Sequence, residues 1–187
     1  MHALGERIIA NPVIAAVKTE GALQDALKSD CDVIFLLTST VMDVKECVEK
    51  IHEAQKLAVV HVDLVEGLST REIAVDGLIS ICHPDGIIST HPTLIRRARH
   101  RGLLTVQRAF ILDSMSITSL YPQLELGKPD FVEILPGIIP RVVGELCKNV
   151  SIPVITGGLI HTKEEVMANM AAGAVAISTS CPDVWAM

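Results

Sequence analysis

Residues 153–180 read PVITGGLIHTKEEVMANMAAGAVAISTS. Pro153 to Ile155 is a short apolar run of the kind that forms a strand buried on both faces. Two glycines follow, where the chain can turn tightly and a backbone can approach another group closely. Thr162 and Glu165 stand at capping-box spacing, which predicts a helix starting just beyond the glycines. Ala174 to Ile177 is a second buried strand, and Ser178-Thr179-Ser180 follows it. Strand, helix and strand in this order call for parallel strands joined by a right-handed crossover.

The same unit recurs along the chain. Further β-rich apolar runs are Val13 to Val17, Val33 to Leu37, Ala58 to Val62, Gly86 to Ile88, Leu103 to Val106 and Phe131 to Leu135. Between them lie stretches with helical spacing, such as Val41, Val44, Val48 and Ile51, or Leu94, Ile95 and Ala98. Eight strands alternating with helices predict an α/β fold, a compact (β/α)8 TIM-type barrel, with an open doubly wound parallel sheet as the alternative. A unit needs only about 23 residues, so 187 residues are tight but sufficient. Residues 1–187 read as one barrel domain, since no composition break divides them. One stretch looks looser: from Asp113 to Pro129, Pro122 and Gly127 interrupt a polar helical pattern.

The composition is 49% hydrophobic and only 3% aromatic, so the core must be built from Val, Ile, Leu and Ala. No apolar run reaches the roughly 18 residues of a membrane span, and the start, from Met1 to Asn11, carries Glu6 and Arg7 with no signal-peptide core after them. A cytoplasmic protein without a membrane partner is expected. Five cysteines without a C-x-x-C pair suggest neither a disulfide framework nor a zinc site, and seven scattered histidines suggest no other metal. The net charge of −6 gives no general attraction for nucleic acid.

In a barrel, chemistry belongs to the C-terminal ends of the strands. There the sequence places Lys18, His61, Asp63, Arg108, Glu133, Gly157, Gly158, Ser178 and Thr179. Glycine turns and hydroxyls after the last two strands suit a phosphate ester, because backbone N–H groups and a helix N-terminus can meet the anion there. The plainer reading is a glycine turn that only lets the chain leave the strand. His61 and Asp63 project to one side if their strand continues through both. With Lys18, Arg108 and Glu133 they can form an acid/base set or a binding site for substrate hydroxyls; His61 and Asp63 by themselves read equally as a buried structural pair. A separate basic run, Arg96, Arg97, Arg99 and Arg101, reads either as an RNA-contacting patch or as a solvated face that complements a helix dipole.

Several ordered motifs carry a resemblance: HVDLVEG (61–67), DGIIST (85–90), QRAF (107–110), EILPG (133–137), GGL (157–159) and STS (178–180). Over essentially the whole chain they resemble the glycerol uptake operon antiterminator regulatory protein family. The resemblance implies a barrel that responds to glycerol 3-phosphate and acts on the leader mRNA of glycerol-metabolism genes, preventing termination. It implies an effector ligand rather than a cofactor, and no catalytic residues. The phosphate is then expected on Gly157, Gly158, Ser178 and Thr179, with the glycerol end near Asp63, Glu133 and Arg108. A homo-oligomer would be one way to present a larger basic face to RNA. Two features depart from the family pattern: His91 stands where a basic residue is usual, and the chain stops at Met187, soon after Trp185, leaving little for an eighth helix. The competing reading is a barrel enzyme, an isomerase, aldolase or phosphodiesterase on a small phosphate ester. Its general base would be Glu133 or His61, and Lys18 its electrophile or Schiff-base former.

Overall fold

Apolar β-branched runs form the eight barrel strands: β1 (Val13–Val17), β2 (Val33–Leu36), β3 (Leu57–His61), β4 (Gly86–Ser89), β5 (Leu104–Phe110), β6 (Phe131–Leu135), β7 (Val154–Gly157) and β8 (Ala176–Thr179). The structure is a computed structural model that describes residues 4–187. The part of the N-terminal reading that falls on Met1 to Ala3 lies outside them. Each strand pairs in parallel with the next, and β8 pairs with β1 in the register Val13 with Ile177, so the sheet closes. The barrel is therefore the correct choice over the open sheet.

Alternation along the strands sorts side chains into two cores. Ile14, Val33, Phe35, Val59, Val106, Phe131 and Ile155 fill the barrel interior. Phe35 and Phe131 are fully buried there, each contributing roughly 1.5–3 kcal/mol. The alternate residues, Val17, Ile34, Leu36, Val60 and Ile87 among them, pack outward against the helices. Ahead of the first strand, α1 (Gly5–Ala10) sends Ile8 into the interior cluster and closes the N-terminal end. The sequence reading contained no such plug.

The crossover helices are α2 (Glu20–Lys28), α3 (Val44–Glu53), α4 (Ile73–Cys82), α5 (Pro92–His100), α6 (Ser114–Gly127), α7 (Pro140–Asn149) and α8 (Lys163–Ala171). None of the described helices is long and apolar enough to cross a membrane. The stretch read as loose is the longest helix, α6. Asp113 caps it through a capping box with Ser116, and Leu120 and Leu124 bury one face of it. Pro122 forfeits one helical hydrogen bond, which this cap and packing offset. Gly127 is needed for contact: a Cβ there would lie 2.6 Å from Gln107 Oε1.

After β8 the last crossover is a single turn, α9 (Pro182–Trp185). Trp185 is buried, and its indole N–H donates to the Thr179 carbonyl at 2.8 Å.

Candidate functional site

Four polar side chains are drawn into the barrel at the C-terminal end, and strand parity explains each. On β5, Leu104 and Val106 face inward, so Arg108 does as well; on β6, Glu133 follows Phe131. Glu133 is fully buried. Its Oε2 accepts from Arg108 Nε at 2.6 Å, and its Oε1 accepts from Ser178 Oγ on β8. Gly157, beside them on β7, has no side chain for a steric reason. A Cβ would run into Ser178 Oγ and lie 2.8 Å from Glu133 Oε1. His61 ends β3 in the same layer, buried, with Nδ1 lacking a partner among the described residues. Burial, then the Arg108 charge, pushes its pKa down to about 4.

Above this layer lies a cavity of about 260 Å3, lined by Lys18, Arg108, Glu133, Gly158, Leu159, His161 and Ser180, with Leu64 and Phe110 at its apolar edge. Lys18 is exposed and forms no ion pair among the described residues. Arg108 commits Nε to Glu133, while its terminal nitrogens make no protein hydrogen bond among the described residues. The turn above the cavity bends through two successive left-handed residues, Gly158 (φ +75°) and Leu159 (φ +62°).

The structure redistributes the roles read from the sequence. Asp63 does not share a face with His61, because the strand stops at His61 and a 3-10 turn covers Val62–Leu64. Asp63 instead accepts from Ser89 Oγ at 2.5 Å and from the Thr90 N–H and hydroxyl at 2.7 Å each. Burial opposes its ionisation, but these hydrogen bonds prevail and lower its pKa. His91 also reaches it, with Nδ1 3.4 Å from Asp63 Oδ2. Asp63 therefore ties two rim loops together and does not line the cavity.

Ser178 and Thr179 line the cavity, but their hydroxyls are already engaged. Ser178 donates to Glu133, and Thr179 Oγ1 donates to the Ile160 carbonyl at 2.6 Å while accepting from the Cys181 N–H. The capping box at α8 forms as read, and it takes the N–H groups of His161, Thr162 and Glu165, three of the donors expected there for an anion. Glu165 accepts from the His161 and Thr162 N–H groups, which lowers its pKa.

Sequence reasoning missed Phe110, Leu64 and His161 as cavity residues, whereas Ser180, in the Ser178-Thr179-Ser180 run, does line the cavity. Two-residue parity was the available signal for Phe110, from Arg108. The others sit on loops whose direction no periodicity sets.

The basic run lies on α5 against α4. Arg97 makes a two-pronged pair with Asp76 at 2.8–3.0 Å, Arg101 reaches Asp76 at 3.3 Å, and Arg96 meets Glu72 at 3.0 Å. Arg99 holds the Lys128 carbonyl at the end of α6. The run is thus separate from the cavity and largely ion-paired within the protein.

A family profile described as "Glycerol-3-phosphate responsive antiterminator" matches residues 13–185, every strand of the barrel included. The chain belongs to this family. This antiterminator-family barrel is 40% identical over 177 residues to the Escherichia coli (strain K12) protein called "Uncharacterized protein YgcP", covering 95% of this chain and 93% of that one. Among solved structures it resembles the glycerol uptake operon antiterminator regulatory protein from Listeria monocytogenes, with TM-score 0.89 and 35% identity over 92% of this chain and 94% of that chain. It also resembles a glycerol uptake operon antiterminator-related protein from Thermotoga maritima, with TM-score 0.80 and 31% identity over 94% and 98% of the two chains.

Proposed function

We propose that this antiterminator-family protein binds glycerol 3-phosphate in the cavity at the barrel mouth and, in response, binds leader mRNA of glycerol-metabolism genes. The observation that carries the effector reading is the pair of cations facing one small cavity: among the described residues Lys18 has no acid partner and the terminal nitrogens of Arg108 are uncommitted. A phosphate group there would meet both, under the Gly158–Leu159 turn and beside the Ser180 hydroxyl. The ester's own hydroxyls would face Glu133, whose carboxylate oxygens each retain acceptor capacity beyond the bonds they make. At about 260 Å3 the cavity is smaller than the roughly 300–1,000 Å3 of drug-sized sites, which suits a three-carbon ester.

Of the residues first read as phosphate ligands, Gly158 keeps that role through its backbone. Gly157, Ser178 and Thr179 support it by building the floor and wall of the cavity. For RNA, the run from Arg96 to Arg101 remains the proposed contact. The Arg96–Glu72 pair is exposed on both sides, and such pairs are worth about 0–1 kcal/mol, so a phosphate can replace the acid at little cost.

The enzyme reading draws less support from the site. Glu133 is engaged by two donors, His61 at a pKa of about 4 is a weak base near neutrality, and Lys18 is exposed rather than desolvated. Borohydride trapping at Lys18, or turnover of a phosphorylated triose, would favour it. The deciding experiment for the proposed function is leader-RNA affinity with and without glycerol 3-phosphate. A change in affinity at saturating effector is expected, because an effector acts only through differential binding to two states. No change would remove the regulatory reading.

A further inference from the structure

We propose that the effector site extends into a second, adjoining cavity and accepts a glycerophosphodiester whose second alcohol carries an ammonium group. The proposal rests on the reading that the mouth cavity holds a phosphate ester. The second cavity, of about 350 Å3, opens between the loops after β1, β2 and β3. Lys18, Thr38 and Leu64 line both cavities, so they are neighbours across the Lys18 side chain.

The two compartments differ in charge. The first presents Arg108 and Lys18, and the second presents Asp43, Glu66 and Glu20. Glu20 already pairs with Lys50 at 2.9 Å, but Asp43 and Glu66 have no ion-pair partner among the described residues. Asp43 commits Oδ1 to the Thr40 N–H at 2.6 Å, which fixes its carboxylate at the cavity edge. A separate feature points to a ligand. Ser39 lines this cavity, is more than nine-tenths buried, and its Oγ has no hydrogen-bond partner among the described residues. Buried hydroxyls are nearly always bonded, so a polar group reaching this wall would satisfy it.

A phosphate beside Lys18 can direct one ester oxygen into each compartment. The glycerol arm enters the first, as in the monoester. The second arm enters a cavity whose unpaired groups are carboxylates and hydroxyls, which favours a cationic, hydrogen-bonding alcohol over a neutral or acidic one.

The test is the affinity of the full chain for glycerol 3-phosphate, for glycerophosphoethanolamine as the ammonium-bearing probe, and for the neutral glycerol–phosphate–glycerol diester. The ammonium diester should bind about fivefold tighter than the neutral one, the upper range for a solvent-exposed ion pair. That preference should vanish in the double variant Asp43→Asn/Glu66→Gln, which should still bind glycerol 3-phosphate as before. It should also shrink toward unity for the wild type in 1 M salt, an independent readout that needs no variant. If glycerol 3-phosphate binds but the two diesters bind equally or not at all, the extension is overturned and the proposed effector site stands. If none of the three binds, both are overturned.

Discussion

Arg108 Nε donates to Glu133 Oε2 at 2.6 Å inside the barrel, with both side chains withdrawn from water. Breaking such a pair by removing one partner leaves a buried charge uncompensated, at a cost of about 3–5 kcal/mol. Glu133→Gln should therefore lower the unfolding free energy by that order, measured by urea denaturation. Adding Arg108→Met in the same chain should recover much of the loss, since it removes the stranded cation. Equal stability of wild type and Glu133→Gln would mean that the pair does not carry the interior in this way.

Gly157 sits against the oxygens of Ser178 and Glu133, so its lack of a side chain is a packing requirement. Gly157→Ala should destabilise the fold by roughly 1–3 kcal/mol, as overpacking usually does. Ser178→Ala alone should cost about 1–3 kcal/mol by leaving Glu133 Oε1 without its donor. Combined, the two should cost less than their sum, because removing Oγ makes room for the new methyl group. Additive losses in this double-mutant cycle would show that the two residues do not share one space.

His61 sets a pH window. Its folded pKa, about 4, lies below the value near 6.5 of an unfolded histidine, so the unfolded chain takes up the proton first. This contribution to stability is complete above pH 6.5 and is lost as the pH falls from 6.5 to 4. It amounts to about 3 kcal/mol as an order of magnitude. Across that window the wild type should lose stability more steeply than His61→Gln, and parallel curves would contradict the assignment.

The arginine run separates fold from recognition. Arg97→Gln should reduce stability by about 1 kcal/mol or less through the loss of its pair with Asp76, which is part-exposed. Replacing Arg96, Arg99 and Arg101 with Gln should weaken RNA binding and flatten its salt dependence, while leaving glycerol 3-phosphate binding unchanged. RNA affinity unaffected by the triple substitution would place the transcript on another surface.

The barrel itself was readable from the eight apolar runs, because strands buried on both faces leave a continuous signal. Their exact ends were less readable. β5 runs to Phe110 rather than Val106, and this longer reach brings Arg108 into the interior beside Glu133. β3 halts at His61, so Asp63 turns to the rim hydroxyls instead of the cavity. Both residues stood out in the sequence, but whether a polar residue at a strand end points into or away from a barrel depends on one position of register. Pro122 and Gly127 suggested a break in α6, yet a good cap and two buried leucines outweighed one missing hydrogen bond. The pairing of the arginine run with α4 was not legible at all, since it depends on which helices the barrel sets side by side.

In the proposed complex, Lys18 and Arg108 hold the phosphate of glycerol 3-phosphate at the mouth, under the Gly158 turn. A titration of glycerol 3-phosphate against thermal stability in wild type, Lys18→Gln and Gly158→Asp tests this placement. Binding to the folded state raises stability by RT ln(1 + [L]/Kd), so the wild type should climb steadily with ligand. Gly158→Asp places a carboxylate where the anion would rest and strains a left-handed position, so cooperative melting must first show that it folds. Lys18→Gln changes an exposed side chain and carries no such risk. Stabilisation in the wild type, sharply reduced in Lys18→Gln and absent in folded Gly158→Asp, is the expected result; full stabilisation in both variants would place the phosphate elsewhere.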